Sequence, residues 1–77
     1  MPRYYFRLHV NGQQQTKDSQ GHQFANGKEA CSHAVKRMPA ALRKYARLTG
    51  NTHLAIEISN GKHTLNVIRG KVIIESQ

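Results

Sequence analysis

Only four carboxylates, Asp18, Glu29, Glu57 and Glu75, occur among the 77 residues. They are scattered, and no carboxylate pair suited to acid–base chemistry is in sight. Tryptophan is absent, and cysteine occurs once, at Cys31, which excludes an internal disulfide framework. A lone cysteine among alanines reads as a small buried hydrophobe. No apolar stretch approaches the roughly 20 residues needed to span a bilayer. The first twenty residues hold no continuous apolar run of the kind a secretory leader needs, so the expectation is a cytoplasmic protein. Phosphate-cradling glycine loops and nucleophile motifs are missing as well.

What is abundant is positive charge. Twelve lysines and arginines face those four acids, for a formal net charge of +8 and a pI near 10.3. On a body this small such a field favours phosphate or carboxylate partners and speeds their encounter. The chain makes one domain, residues 1–77, with a thin core. The apolar residues are gathered in periodic blocks, which argues for a folded domain.

From Arg3 to Val10, Tyr4, Phe6, Leu8 and Val10 alternate with Arg3, Tyr5, Arg7 and His9. Period two over this length predicts a half-buried strand. Asn11-Gly12 follows, a strong hairpin signal because both residues tolerate positive φ. The return strand Gln13 to Lys17 is wholly polar and reads as an edge. Asp18 to Ala25 reads as a loop, with Gly21 at a turn and Phe24 as an apolar anchor.

Asn26 and Glu29 form a capping pair for a helix. Ala34, Val35, Met38, Ala41, Leu42, Tyr45 and Leu48 recur at helical spacing, and Gly50 supplies a stop. Pro39 interrupts this stretch; inside a helix it removes a donor and crowds the preceding turn. A straight helix from Gly27 to Thr49 would run about 34 Å, longer than strands of about 23 Å. The expectation is a break or kink, with Pro39 opening a second segment.

A second hairpin turns at Asn60-Gly61. A two-residue loop there would pair Ile58 with His63, Ile56 with Leu65 and Leu54 with Val67. Arg69-Gly70 reads as a turn, and Val72 to Ile74 as a short fifth strand or one apolar turn. The predicted fold is α+β, of ββαββ order: an antiparallel four-stranded sheet with one kinked or broken helix packed on one face. The other face would carry Arg3, Tyr5, Arg7, His9, Thr16, His53, Glu57, Thr64 and Asn66.

The opening MPRYYF, the hairpin after it, the Asp18 to Gly21 loop, the Ala-rich helix and the closing hairpin resemble a family of short bacterial proteins of unknown function. Its members begin Met-Pro-Arg-Tyr-aromatic-Phe. The resemblance implies the ββαββ arrangement and brings no activity. It also implies an acidic loop and early helix where this chain has Gln20, His22, Gln23 and Lys28, and a different ending from Arg69 to Gln77. The positive charge therefore belongs to this chain.

Lys36, Arg37, Arg43, Lys44 and Arg47 gather opposite the apolar stripe, with Glu29 the sole acid in the helix. Cations without acidic neighbours are the footprint of phosphate contact; the plain alternative is a solvated face. Arg3, Tyr5 and Arg7 form a second surface, where a ring flanked by guanidinium groups can hold a nucleic-acid strand or simply pack across strands. Histidines 9, 22, 33, 53 and 63 contain no i,i+4 pair and no zinc spacing, so no metal and no cofactor is expected. The leading expectation is a non-enzymatic regulatory module binding nucleic acid, DNA ahead of RNA. The alternatives are a regulator masking an acidic protein surface and, remotely, a ribonuclease using His9 and His53 near Arg7. A homodimer is a further expectation, since a strand edge and the tail Val72 to Ile74 offer surface to a second copy.

Overall fold

The computed structural model describes residues 2–76, so Met1 of the opening motif lies outside the described residues. Strand β1 (Arg3–Val10) turns into β2 (Gln13–Lys17) through Asn11 and Gly12, at φ 51° and 85°. These values suit a type I′ hairpin turn. Tyr4 and Val10 are buried and Phe6 and Leu8 half-buried on one side of β1. A bulge moves the pairing from His9↔Gln14 to Leu8↔Thr16. The extra residue, Gln15, puts Thr16 beside Leu8 on the helix side, a correction to its expected place on the open face.

Gly21, at φ 74°, turns the chain into β3 (His22–Gln23), which pairs with Arg3 and Tyr4. This is the fifth strand of the sheet. It lies within the stretch read as a loop, whereas Val72 merely ends the last long strand.

Helix α1 (Gly27–Thr49) begins where the Asn26 Oδ1 accepts a hydrogen bond from the Glu29 amide at 3.0 Å. It stops at Gly50, φ 75°, whose amide donates to the Ala46 carbonyl at 2.9 Å. The helix continues through Pro39 as one element, and no second segment starts there. Pro39 lies on the exposed side, where water can serve the carbonyl that Pro39 leaves without a donor. Ala30, Ala34 and Met38 are buried, with Ala41, Leu42 and Tyr45 packed beside them. Val35 and Leu48, read with the apolar stripe, are 53% and 72% exposed. Val35 sits at the margin of the stripe. Leu48 points the same way as Ala30, but a helix of about 34 Å outruns the eight-residue strand beneath it, about 27 Å long.

Strands β4 (Thr52–Ser59) and β5 (Thr64–Val72) close the sheet, whose order is β2-β1-β4-β5 with β3 beside β1. Their register differs from the expected one: Ile58 faces Asn66, Ile56 faces Ile68, and Leu54 faces Gly70. The reason is in the loop. Asn60 Oδ1 accepts from the amides of Lys62 and His63 at 2.9 and 2.8 Å, and the Asn60 amide donates to the His63 carbonyl. This makes a four-residue connection, followed by a bulge at Ile58/Ser59. A shift by an odd number of residues exchanges faces. Leu65 and Val67 therefore move to the open face, while Asn66, expected there, turns toward the helix side.

The same shift carries Arg69 and Gly70 into the middle of β5, so they form no turn. Gly70 lies under the helix: a Cβ there would stand 3.0 Å from Met38 Sδ and 3.2 Å from Leu42 Cδ1. The helix packs over β4 and β5 and touches β1 least. Among the described residues, no helix is long and apolar enough to cross a membrane. Replacing Gly70 with Val should overpack this contact and destabilise the fold by about 1–3 kcal/mol. A urea titration checks this; an unchanged midpoint would mean that Met38 and Leu42 yield freely.

Candidate nucleic-acid interface

At 100° per residue, Ala30, Ala34, Met38, Ala41 and Tyr45 face the sheet. Lys36, Arg43 and Arg47 then point directly away from it, and Arg37 and Lys44 project along the flank nearer β1. All five cations are exposed. Among the described residues the ion pairs are Arg7–Glu57, His9–Glu57 and His22–Asp18, so no described carboxylate neutralises the helix. Glu29, its one acid, lies nearly two turns from Lys36, about 10 Å along the axis. Lys44 Nζ stands 5.3 Å from the Tyr45 ring centroid, within cation–π range.

Because α1 sits over β4 and β5, the inner face of β1 and β2 is only partly covered. The space beside the helix is a cleft of about 720 Å³. Phe6, Leu8 and Ile56 form its floor, and Ala41 and Tyr45 its helix wall; Lys36, Arg37 and Lys44 stand on its rim. Strand β2, polar and exposed throughout, borders the cleft with Thr16 and Lys17 and offers it no apolar side chain. At one end the His33 ring packs against Phe24 and Phe6, with centroids 5.2 and 5.6 Å away, and lies 6.2 Å from His22. Asp18, the one acid lining the cleft, is occupied with the turn. Its Oδ1 accepts from the amides of Gln20 and Gly21, and its Oδ2 stands 3.6 Å from His22 Nε2.

Arg3, Tyr5 and Arg7 lie on the opposite face of the sheet. Arg3 donates to the Gln20 carbonyl at 3.0 Å, and Arg7 stands 3.8 Å from Glu57. The Tyr5 ring is held between two glycines: a Cβ on Gly21 or Gly61 would meet it at 2.8 or 3.3 Å. The two surfaces read from the sequence are thus separate. The helix cations stand together and unpaired, whereas Arg3, Tyr5 and Arg7 each have an intramolecular contact. Register also brings Arg69 and Lys71 onto the open face, opposite Ala55 and His53. The alternation Leu65, Val67, Arg69, Lys71 carried that signal, hidden by reading Arg69-Gly70 as a turn. The cleft was missed altogether, although Phe6 and Leu8 beside an all-polar β2 hinted at an uncovered apolar strip.

His9 and His53 line one depression on the open face, with Glu57 Oε1 3.5 Å from His9 Nε2. At about 230 Å³ it is smaller than the usual pocket for a small molecule, roughly 300–1,000 Å³. Among the described residues no group of three or more histidine, cysteine or acidic side chains is placed to hold a metal ion.

Burial, with Arg37, His22 and Lys36 nearby, lowers the pKa of His33 from the usual histidine value. The unfolded chain thus binds this proton at higher pH than the folded one. The His33 contribution to stability is present above about pH 6.5 and is lost as pH falls through the lower folded value. The urea midpoint should fall between pH 7.5 and 5, and fall less in His33→Gln. Equal losses in both proteins would show that His33 does not carry the effect.

No curated protein and no solved structure shows a significant match to this chain. A family model does match, from the first residue of β1 into the first half of β5, so Met1 and Pro2 of the opening motif and the ending Arg69 to Gln77 fall outside it. Its description carries no activity. With the match covering most of the chain, the protein belongs to the family described as Domain of unknown function (DUF6894), over residues 3–67.

Proposed function

We propose that this protein is a small, non-enzymatic, cytoplasmic regulatory module that binds nucleic acid, DNA ahead of RNA, through phosphate contacts from the basic side of α1. One observation carries the reading: Lys36, Arg37, Arg43, Lys44 and Arg47 are exposed on one element with no described carboxylate paired to them. Like charges crowded on a helix repel one another, and a polyanion relieves that repulsion while releasing its own counterions. Such contacts fix position and carry no sequence information.

A second copy is part of the proposal. β5 is an edge strand of nine residues, flanked by exposed Val35 on the helix side and by Leu65 and Val67, 44% and 40% exposed, on the other. An unpaired edge beside apolar side chains is a template for strand addition. Two copies joined antiparallel through β5 would continue the sheet and carry both basic helices on one face. Sedimentation equilibrium should then return twice the 8.7 kDa chain mass, and a mass of one chain at all concentrations would remove the dimer.

The binding test is a salt titration with a mixed-sequence oligonucleotide. With about four phosphates neutralised, log affinity should fall with log salt at a slope near −3.6. Changing Lys36, Arg37 and Lys44 together to Gln should flatten that slope by about 2.7, whereas Arg3→Gln and Arg7→Gln, on the opposite face, should leave it alone. A wild-type slope near zero would overturn the reading in favour of an acidic protein partner.

A further inference from the structure

We infer that the cleft between α1 and the β1–β2 half of the sheet receives one unstacked base of a single strand, with Lys36, Arg37 and Lys44 on its rim holding the neighbouring phosphates. The protein then prefers single-stranded to duplex nucleic acid. This rests on the phosphate-binding reading above and adds a ligand class to the same region.

Phosphate contact alone needs no concavity, yet the basic helix borders a half-open cleft of about 720 Å³, a volume in the range of small-molecule sites. Its floor is apolar. Phe6, Leu8 and Ile56 lie there, and Tyr45 stands on the helix wall. A phosphate resting on that floor would lose water to groups that offer no hydrogen bond in return. A base has an apolar, stackable face, which suits that floor whatever its sequence.

The cations are unevenly placed: Lys36, Arg37 and Lys44 stand on the helix side of the opening, against Lys17 alone from β2, whose Thr16 faces inward. A strand lying along α1 would therefore have its phosphates at the helix rim and its bases turned toward the sheet. Lys36 and Lys44 are eight residues apart, about 12 Å along the helix, so more than one phosphate is within their reach. Polar groups at one end, His33 and His22, can meet the edge of a base. His33 is disposed toward its neutral form, in which an imidazole both donates and accepts.

Duplex nucleic acid keeps its bases stacked and paired, and extruding one carries an unstacking penalty. A duplex on this surface would touch the rim and leave the floor uncovered. That difference separates base insertion from phosphate contact.

The experiment compares three fluorescent probes of equal length and backbone: a mixed-sequence single-stranded deoxyoligonucleotide, its duplex, and the same single strand with abasic sugars throughout. Anisotropy titrations at one salt concentration should show the single strand bound roughly tenfold or more tighter than the other two, the range expected when one base stacks on an aromatic site. Ala40→Phe adds a ring to an exposed residue lining the cleft and should erase the preference while leaving duplex binding and the far-UV spectrum unchanged. Equal affinity for the three probes, with the salt slope intact, would overturn base insertion and leave phosphate binding standing. Retention of the single-strand preference by a folded Ala40→Phe protein would also overturn it. Absence of salt-dependent binding to any probe would remove both readings.

Discussion

The missing side chain at Gly70 sets where the helix rests. In the middle of β5, a Cβ would come within 3.2 Å of both Met38 and Leu42. Without it, α1 settles over β4 and β5, and Met38 joins Leu54, Ile56 and Ile58 in the buried cluster. A single helix is too narrow to cover the four-strand width β2-β1-β4-β5: its diameter with side chains is about 10–12 Å, against roughly 4.8 Å per strand. Placing it on one half leaves the other half bare. Phe6 and Leu8 are half-buried for this reason, and the cleft beside them is the remainder of the sheet's inner face.

Charge follows the same asymmetry. The flank of α1 toward the cleft carries Arg37 and Lys44, with Lys36 on the rim, whereas the flank toward β5 carries Val35, Leu42 and Ala46. On the open face, Glu57 stands near both Arg7 and His9, so the acid nearest the centre of the sheet is engaged away from the helix. A net charge of +8 on a core of eight buried apolar side chains among the described residues works against compactness through self-repulsion. A bound polyanion would remove part of that load, so binding and stability should be linked through these side chains.

Much of the fold was legible in local signals whose physics is local. The alternation of Tyr4, Phe6, Leu8 and Val10, the positive-φ pair Asn11-Gly12, the Asn26 cap and the Gly50 stop all act within a few residues. The failures came where a distant or side-chain-mediated contact decided. Asn60 resembled half of a two-residue turn but used its side chain to hold Lys62 and His63, lengthening the loop and moving Leu65 and Val67 to the open face. Gly70 resembled a turn residue because its reason for being glycine lies on the helix, some thirty residues away. Pro39 suggested a break or kink, and the helix runs through it unbroken; its place on the exposed side was not visible in one dimension. The basic helix could be read from spacing alone. The cleft could not, since it exists only because of where α1 sits laterally.

Binding through α1 requires that the helix side of the sheet, and not the open face, meets the ligand. The most direct measurement is amide chemical-shift mapping by NMR during titration with a single-stranded deoxyoligonucleotide. The account predicts perturbations along α1 at Arg37, Ala40, Ala41 and Lys44 and across the sheet at Phe6, Leu8 and Thr16. Perturbations confined to Arg7, His53, Val67 and Arg69, on the opposite face, would contradict it.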